Sequence, residues 1–206
     1  MKKIDFKKEL KEYYSDVSPK EFTIVDVPPL NFLMIDGQGY PGTSQEYQDA
    51  MQTLYPLSYT LKFMMKKKGK DYVVMPIEGL WWAENMDVFT EAFAEKKDEW
   101  LWTSMIMQPD FITKKLVDQV IEDVRKKKDP PAINKVRFEN YHEGLSVQIL
   151  YYGSYSDEGP TIARMHQYVK HKGYRLRGKH HEIYLSDPRR TKPEMLKTII
   201  RQPIEK

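Results

Sequence analysis

Two stretches of this chain close an apolar run with the same dipeptide: WLWTSMIMQP at 100–109 and LKTIIRQP at 196–203. Reading backwards from each Gln-Pro recovers the same order of elements, which restricts the chain to a fold built from two related halves. A lead-in strand at 22–27 runs into NFLMIDGQGYPG at 31–42, and its counterpart at 136–141 runs into LSVQILYYGSYSDEG at 145–159. Both apolar strands reach a Gly/Tyr turn, Gly39-Tyr40 in one half, Gly153 and Tyr155 in the other. An amphipathic helix follows each turn. From Gln45 to Lys68 apolar residues recur at Tyr47, Met51, Leu54, Leu57, Leu61 and Met64, near the helical period, and Pro56 predicts an interruption or kink. From Thr161 to Lys172, Ile162, Met165, His166 and Val169 share one face. Proline removes a ladder donor, so each Gln-Pro pair suits a strand terminus or edge.

The halves span 22–109 and 132–206. Residues 110–131 connect them through a helix at 111–128 that carries Ile112, Leu116, Val120, Ile121 and Val124 on its apolar side. Asp129-Pro130-Pro131 stops that helix and starts a linker. The first half is longer, both in its helix and in an 83–99 hairpin connection. The expected fold is therefore a single α+β domain of tandem duplicated strand-helix-strand-strand modules. Curved antiparallel sheets would pack about a pseudo-twofold axis, around a central cleft.

Each half also places a glutamate on an aromatic-flanked strand: Glu78 in YVVMPIEGLWW at 72–82 and Glu182 in KHHEIYLSD at 179–187. A carboxylate in such a strand is costly to bury unless a cation or a proton meets it. Alternation puts Glu182 on one face with His180 and Tyr184, and His181, Ile183 and Leu185 on the other. Glu78 sides with Val74, Pro76, Leu80 and Trp82, unless Pro76 and Gly79 bend the strand. Tyr152 falls opposite Val147, Ile149 and Tyr151. Two readings of Glu182 stay open: a carboxylate paired with Arg or Lys on a half-exposed sheet, or a pocket carboxylate. In a desolvated site the latter would suit proton transfer near neutral pH, or beside aromatic faces it would hold an organic cation. Glu78 carries the same choice, with Gly79 adding a turn reading. Trp81 and Trp82 point to opposite faces, so one can be core while the other lines a cleft.

Several classes are excluded. The chain has no cysteine, which removes disulfides, thiolate metal sites and cysteine nucleophiles. Adjacent His180 and His181 diverge on a strand and no spaced ligand set accompanies them, so no metal is expected. Gly37-Gln38-Gly39 lacks the rest of a phosphate-binding pattern, and no cofactor is expected. The net charge of +3 is scattered. The runs Lys66–Lys68 and Arg125–Lys128 fall at helix ends, where cations favour the helix dipole, so no nucleic-acid partner is expected. No apolar run approaches the ~20 residues of a membrane span, and MKKIDFKKELKEYY lacks an apolar signal core. The expectation is a cytoplasmic protein without a membrane partner, monomer or homodimer. Much of the 14 Tyr, 8 Phe and 4 Trp must be core, yet Tyr and Trp are amphipathic and often line pockets for flat or cationic ligands.

The segments EIYLSDPRRTKPEMLKTIIRQP at 182–203, PIEGLWW at 76–82 and WLWTSMIMQPDFIT at 100–113 resemble the GyrI-like small-molecule-binding superfamily. The likeness is to its stand-alone bacterial branch, which includes cyclopropanoid cyclopropyl hydrolases, and it extends from about residue 20 to the end. The resemblance implies a tandem pair of strand-helix-strand-strand (SHS2-type) modules. It also implies an aromatic pocket between them, centred on a glutamate of the second module that corresponds by motif position to Glu182. Family members either sense bulky, often cationic drugs within transcription regulators or hydrolyse the strained cyclopropane of DNA-alkylating natural products. Residues 1–20 are too short for a helix-turn-helix, which favours the stand-alone group. The resemblance then implies a hydrophobic aromatic small molecule as partner, Glu182 as the base that orients water, and Tyr55 or Tyr152 as donor to the developing phenolate. Trp81 or Trp82 would stack on the substrate, with Glu78 and Tyr184 as further ligand-binding residues. Non-catalytic drug binding and a protein-interaction role like that of the gyrase-inhibitory members are the alternatives.

Overall fold

The structure, a computed structural model, describes residues 3–82 and 99–206. Two short helices, α1 (Phe6–Glu9) and α2 (Lys11–Tyr14), precede strands β1 (Thr23–Val27) and β2 (Leu30–Gln38). Helix α3 (Gln45–Lys67) follows the first Gly/Tyr turn, then β3 (Ile77–Trp82) and β4 (Leu101–Gln108). Helix α4 (Lys114–Lys128) leads into β5 (Arg137–Tyr141) and β6 (Gly144–Tyr152). The second half continues with α5 (Gly159–His171), a short β7 (Arg175–Leu176), β8 (His180–Tyr184) and β9 (Lys197–Glu205). Apart from Glu99, the expected 83–99 connection lies outside the described residues.

The strands form one curled antiparallel sheet in the order β1-β6-β9-β8-β3-β4-β2-β5, with β7 on the end of β9. The two half-sheets are continuous, because β3 and β8 pair directly at the centre. The order reads symmetrically outward from that pair, with one exchange. The lead-in strand of each half pairs with the other half: β1 with β6 and β5 with β2.

Local chemistry sets the element ends. Ser44 accepts a hydrogen bond from the Tyr47 N–H at the start of α3, and Lys66 and Lys67 sit in its last turn. Pro56 lies inside α3, which nonetheless runs unbroken through it. Thr113 caps α4, and Asp129, at φ 39, closes it in the left-handed conformation just before Pro130. Gly39 and Gly153, at φ 95 and 145, let the chain turn sharply off β2 and β6.

Two expectations are corrected here. Residues 72–76 are not part of β3, which begins only after Pro76. Pro203 does not end β9. Pairing with β6 stops at Ser146–Pro203, and beyond it Ile204 and Glu205 pair with β7 instead, so the missing N–H falls where the strand changes partner.

Helices α3 and α5 flank one face of the sheet centre, and α1 and α2 cover the opposite face. The main core includes Leu54, Leu57 and Leu61 of α3, and Trp102, Met105 and Ile106 of β4. A smaller cluster under α5 contains Val147, Ile149, Met165, Val169, Ile200 and Ile204.

Candidate functional site

Between α3 and α5 lies a cleft of about 1840 Å³, floored by β3 and β8. That is more than the several hundred to ~1000 Å³ of most small-ligand pockets, so it admits a bulky molecule. Its walls are aromatic. Tyr47 of α3 stacks on Trp81 of β3, with ring centroids 6.3 Å apart, and Trp81 meets Trp100 edge-on at 6.1 Å. Tyr40 and Tyr155, from the two Gly/Tyr turns, both reach in; Tyr40 packs edge-on against Trp100 and Tyr155 against Tyr184.

Glu182 sits on this floor in the middle of β8. Tyr184 Oη donates to Glu182 Oε2 at 2.7 Å, and Trp81 Nε1 donates to Tyr184 Oη at 3.0 Å. Burial, then the charge of Glu182, raises the Tyr184 pKa well above the ordinary phenolic value, so its hydroxyl remains a donor at any physiological pH. Gly79 lies directly across the ladder from Glu182. A Cβ there would stand 2.7 Å from Trp81 Nε1, so this glycine lets the indole fold back toward Tyr184.

A second carboxyl stands behind the first. Glu158, just before α5, is 2% exposed, and burial followed by the charge of Glu182 pushes its pKa up to about 10. It therefore holds a proton at neutral pH, while the unfolded chain would release it near the ordinary 4.5. The unfolded state binds fewer protons above that value, so Glu158 makes stability fall as pH rises from about 4.5 toward 10. Glu158→Gln is expected to remove that slope, leaving the variant more stable than the wild type by as much as ~3 kcal/mol at pH 7 and equal to it near pH 4. Urea unfolding at the two pH values measures the difference; equal gaps would mean that Glu158 takes up no proton on folding.

The remaining expected residues divide. Tyr55 of α3 lines the cleft with Trp81, Tyr184 and Glu182. Glu78 does not. It is 0% exposed on the opposite face, because the register pairs Glu182 with Gly79 and a one-residue offset on a strand reverses the face. There Glu78 accepts from Tyr14 Oη at 2.9 Å and meets His181 Nε2 at 3.0 Å. His181 Nδ1 lies 2.8 Å from Glu143, whose other oxygen is 3.1 Å from Arg201 Nη1. Trp82 also turns away from the cleft and lies under Lys179 Nζ, 3.1 Å from its ring centroid. Tyr152 is 46% exposed at the end of β6, beside Lys197, and is not among the residues lining the cleft.

Sequence reasoning missed Glu158, Tyr47, Tyr40, Tyr155 and Trp100 as site residues. The signal for Tyr40 and Tyr155 was their equivalent place in the two turns; Glu158 carries no local signal. Among the described residues no group of three or more His, Cys, Asp or Glu is arranged to hold a metal ion, and no helix is long and apolar enough to cross a membrane.

An antiparallel sheet curled under an aromatic cleft, with a carboxylate at its centre, defines a small-molecule-binding domain. The chain belongs to the GyrI-like family, matching its small molecule binding domain over residues 20–205. It is similar to an uncharacterized conserved protein of Listeria innocua, 41% identical over 98% of this chain and 100% of that one, with a TM-score of 0.89. A Listeria innocua protein described as a hydrolase is likewise 41% identical over 98% and 100% of the two chains, with a TM-score of 0.84. The C-terminal domain of EcmrR shares the fold alone, at 12% identity over 90% of this chain and 98% of that one, with a TM-score of 0.55. No curated protein sequence matches the chain.

Proposed function

We propose that this protein binds flat, hydrophobic aromatic molecules in the cleft and hydrolyses those carrying a strained cyclopropane, detoxifying cyclopropanoid DNA-alkylating compounds. The observation that carries this reading is Glu182, the carboxylate placed among Trp81, Tyr47 and Tyr184 with a hydroxyl fixed on one of its oxygens. The Listeria innocua relative described as a hydrolase supports hydrolysis; the substrate class is inferred from the chemistry of the site and the family resemblance.

In a spirocyclopropyl dienone the ring opens when water attacks its methylene carbon. The new bond is carbon–oxygen, and the carbon–carbon bond to the spiro centre breaks. The released electron pair enters the dienone, which becomes a phenolate. Glu182 takes the proton from the attacking water. Tyr55, the one of the two expected tyrosines that lines the cleft, donates to the carbonyl oxygen as charge develops there. Trp81 and Tyr47 hold the flat ring system by stacking. A positioned acid–base pair of this kind contributes ~10²–10⁴-fold over the slow spontaneous opening.

A time course of purified protein with a spirocyclopropyl dienone, followed by mass spectrometry, tests the reading. Catalytic gain of one water by the substrate is the expected result. Toxin that stays intact but bound would make the protein a non-catalytic drug-binding domain.

A further inference from the structure

At the α5 side of the cleft, several buried polar atoms have no hydrogen-bond partner among the described residues. His180, at the start of β8, is 6% exposed and lines the cleft, and neither of its ring nitrogens is hydrogen-bonded. Its Nε2 approaches Glu182 Oε1 at 3.3 Å, outside hydrogen-bond geometry. His166, on the face of α5 turned to the cleft, leaves a buried Nε2 unpartnered. His180 and His166 are neighbours, so their unpartnered ring nitrogens face the same part of the cleft. Nine in ten buried polar groups in folded proteins are satisfied, so a concentration of unsatisfied ones in a cleft wall marks the place of a missing partner.

The opposite side of the cleft is different in kind. Tyr47, Trp81 and Trp100 offer ring faces and edges. The cleft thus has an aromatic end on the α3 side and a hydrogen-bonding end on the α5 side, with Glu182 between them.

We propose that His180 and His166 form a polar subsite that takes a hydrogen-bonding group, an amide or hydroxyl, attached to the flat ring system held by the aromatic wall. This rests on the reading of the cleft as an aromatic-ligand site and adds the second half of the ligand to it. The protonation state of His166 suits such a ligand. Burial, then neighbouring His180, lowers its pKa to about 4, so at neutral pH its imidazole is uncharged and presents one donor and one acceptor nitrogen. An amide, which also donates and accepts, matches such a pair. A purely hydrocarbon ligand would leave these groups buried without partners, and a site built to hydrogen-bond discriminates strongly against an analogue lacking the group.

The test compares 2-naphthamide with its carbon isostere 2-isopropenylnaphthalene by isothermal titration calorimetry, on the full chain and on His180→Phe and His166→Phe. Both probes share the ring, so hydrocarbon binding reports that the cleft is folded and open in each variant. The ratio of the two affinities reports the subsite. Each substitution is expected to shift that ratio against the amide by about tenfold, while isostere affinity holds or rises. A ratio unchanged in both variants overturns the subsite, the orphaned atoms then being satisfied by water. Isostere binding with no amide preference in the wild type also overturns it and leaves the aromatic reading standing. Binding of neither probe overturns the aromatic-cleft reading and the subsite with it.

Discussion

Glu182→Gln is expected to lower the rate of cyclopropane opening by ~10²–10⁴-fold while changing ligand affinity only a few-fold. The substitution is nearly isosteric, and the amide oxygen of glutamine can still accept from Tyr184 Oη, which holds the side chain at 2.7 Å in the wild type. The link from Trp81 through Tyr184 therefore survives, and with it the aromatic wall that binds the ring system. What disappears is the ability to take a proton from water. Single-turnover rates by mass spectrometry and dissociation constants by calorimetry separate the two effects. Equal losses in both would show that Glu182 anchors the ligand, as it would an organic cation, and would remove its role as base. An unchanged rate would place the base elsewhere.

His181→Ala is expected to cost about 3–5 kcal/mol of stability, the largest single loss outside the hydrophobic core. His181 lies between two buried carboxylates, Glu78 at 3.0 Å and Glu143 at 2.8 Å, and Arg201 completes the cluster from the other side of Glu143. Burial alone would lower the histidine pKa, but the charges and hydrogen bonds of Glu143 and Glu78 raise it to about 9. Burial would likewise raise Glu143, but His181 and Arg201 hold it to about 2. With two acids and two bases the cluster is balanced, and removing the imidazole leaves Glu78 with only the Tyr14 hydroxyl. The pH signature has a definite sign. The stability contributed by His181 is fully present below its ordinary 6.5 and is lost as pH rises through about 9. That contributed by Glu143 is present above its ordinary 4.5 and is lost as pH falls toward about 2. Guanidinium unfolding between pH 6 and 9 should show a steeper decline in the wild type than in the variant, which keeps only the slope due to Glu158. A variant with unchanged midpoint would mean the cluster contributes nothing net.

The same cluster shows why half of the glutamate pattern misled. Both glutamates sit on aromatic-flanked strands, and their alternation could be read; their mutual register could not. Whether Glu182 faces Glu78 or Gly79 across the ladder depends on a one-residue choice fixed by the β3–β8 pairing, a contact between residues about a hundred positions apart. The order of elements was legible because it is local: the helical spacing of α3 and α5, the stop at Asp129-Pro130, the glycines in the two turns. The aromatic wall was legible in part. Tyr47 shows in the sequence as one more apolar position of a helix, and only the folding of α3 over β3 brings it onto Trp81. Glu158 looks like an ordinary charged residue in a turn, and its burial comes from packing against β8 and β9. Residues 1–20 read only as a charged stretch too short for a helix-turn-helix, yet α2 supplies Tyr14 to Glu78, and the Tyr13 carbonyl accepts from Arg201 at 2.6 Å.

The exchanged lead-in strands bear on how a ligand gets in. A cleft between two repeated halves invites the picture of a clamshell, opening on a hinge. Here such a motion would have to part the β3–β8 ladder under the cleft, and the short β1–β2 and β5–β6 connections, which cross between the two sides because each lead-in strand pairs with the other half, would hold it back. The width of the floor is thus fixed by the backbone. Entry and exit are left to the rim, to side chains of α3 and α5 and to the two turns that carry Tyr40 and Tyr155. Such a vessel keeps its shape whatever it holds, and single substitutions along the rim can change which molecules pass without touching the sheet beneath.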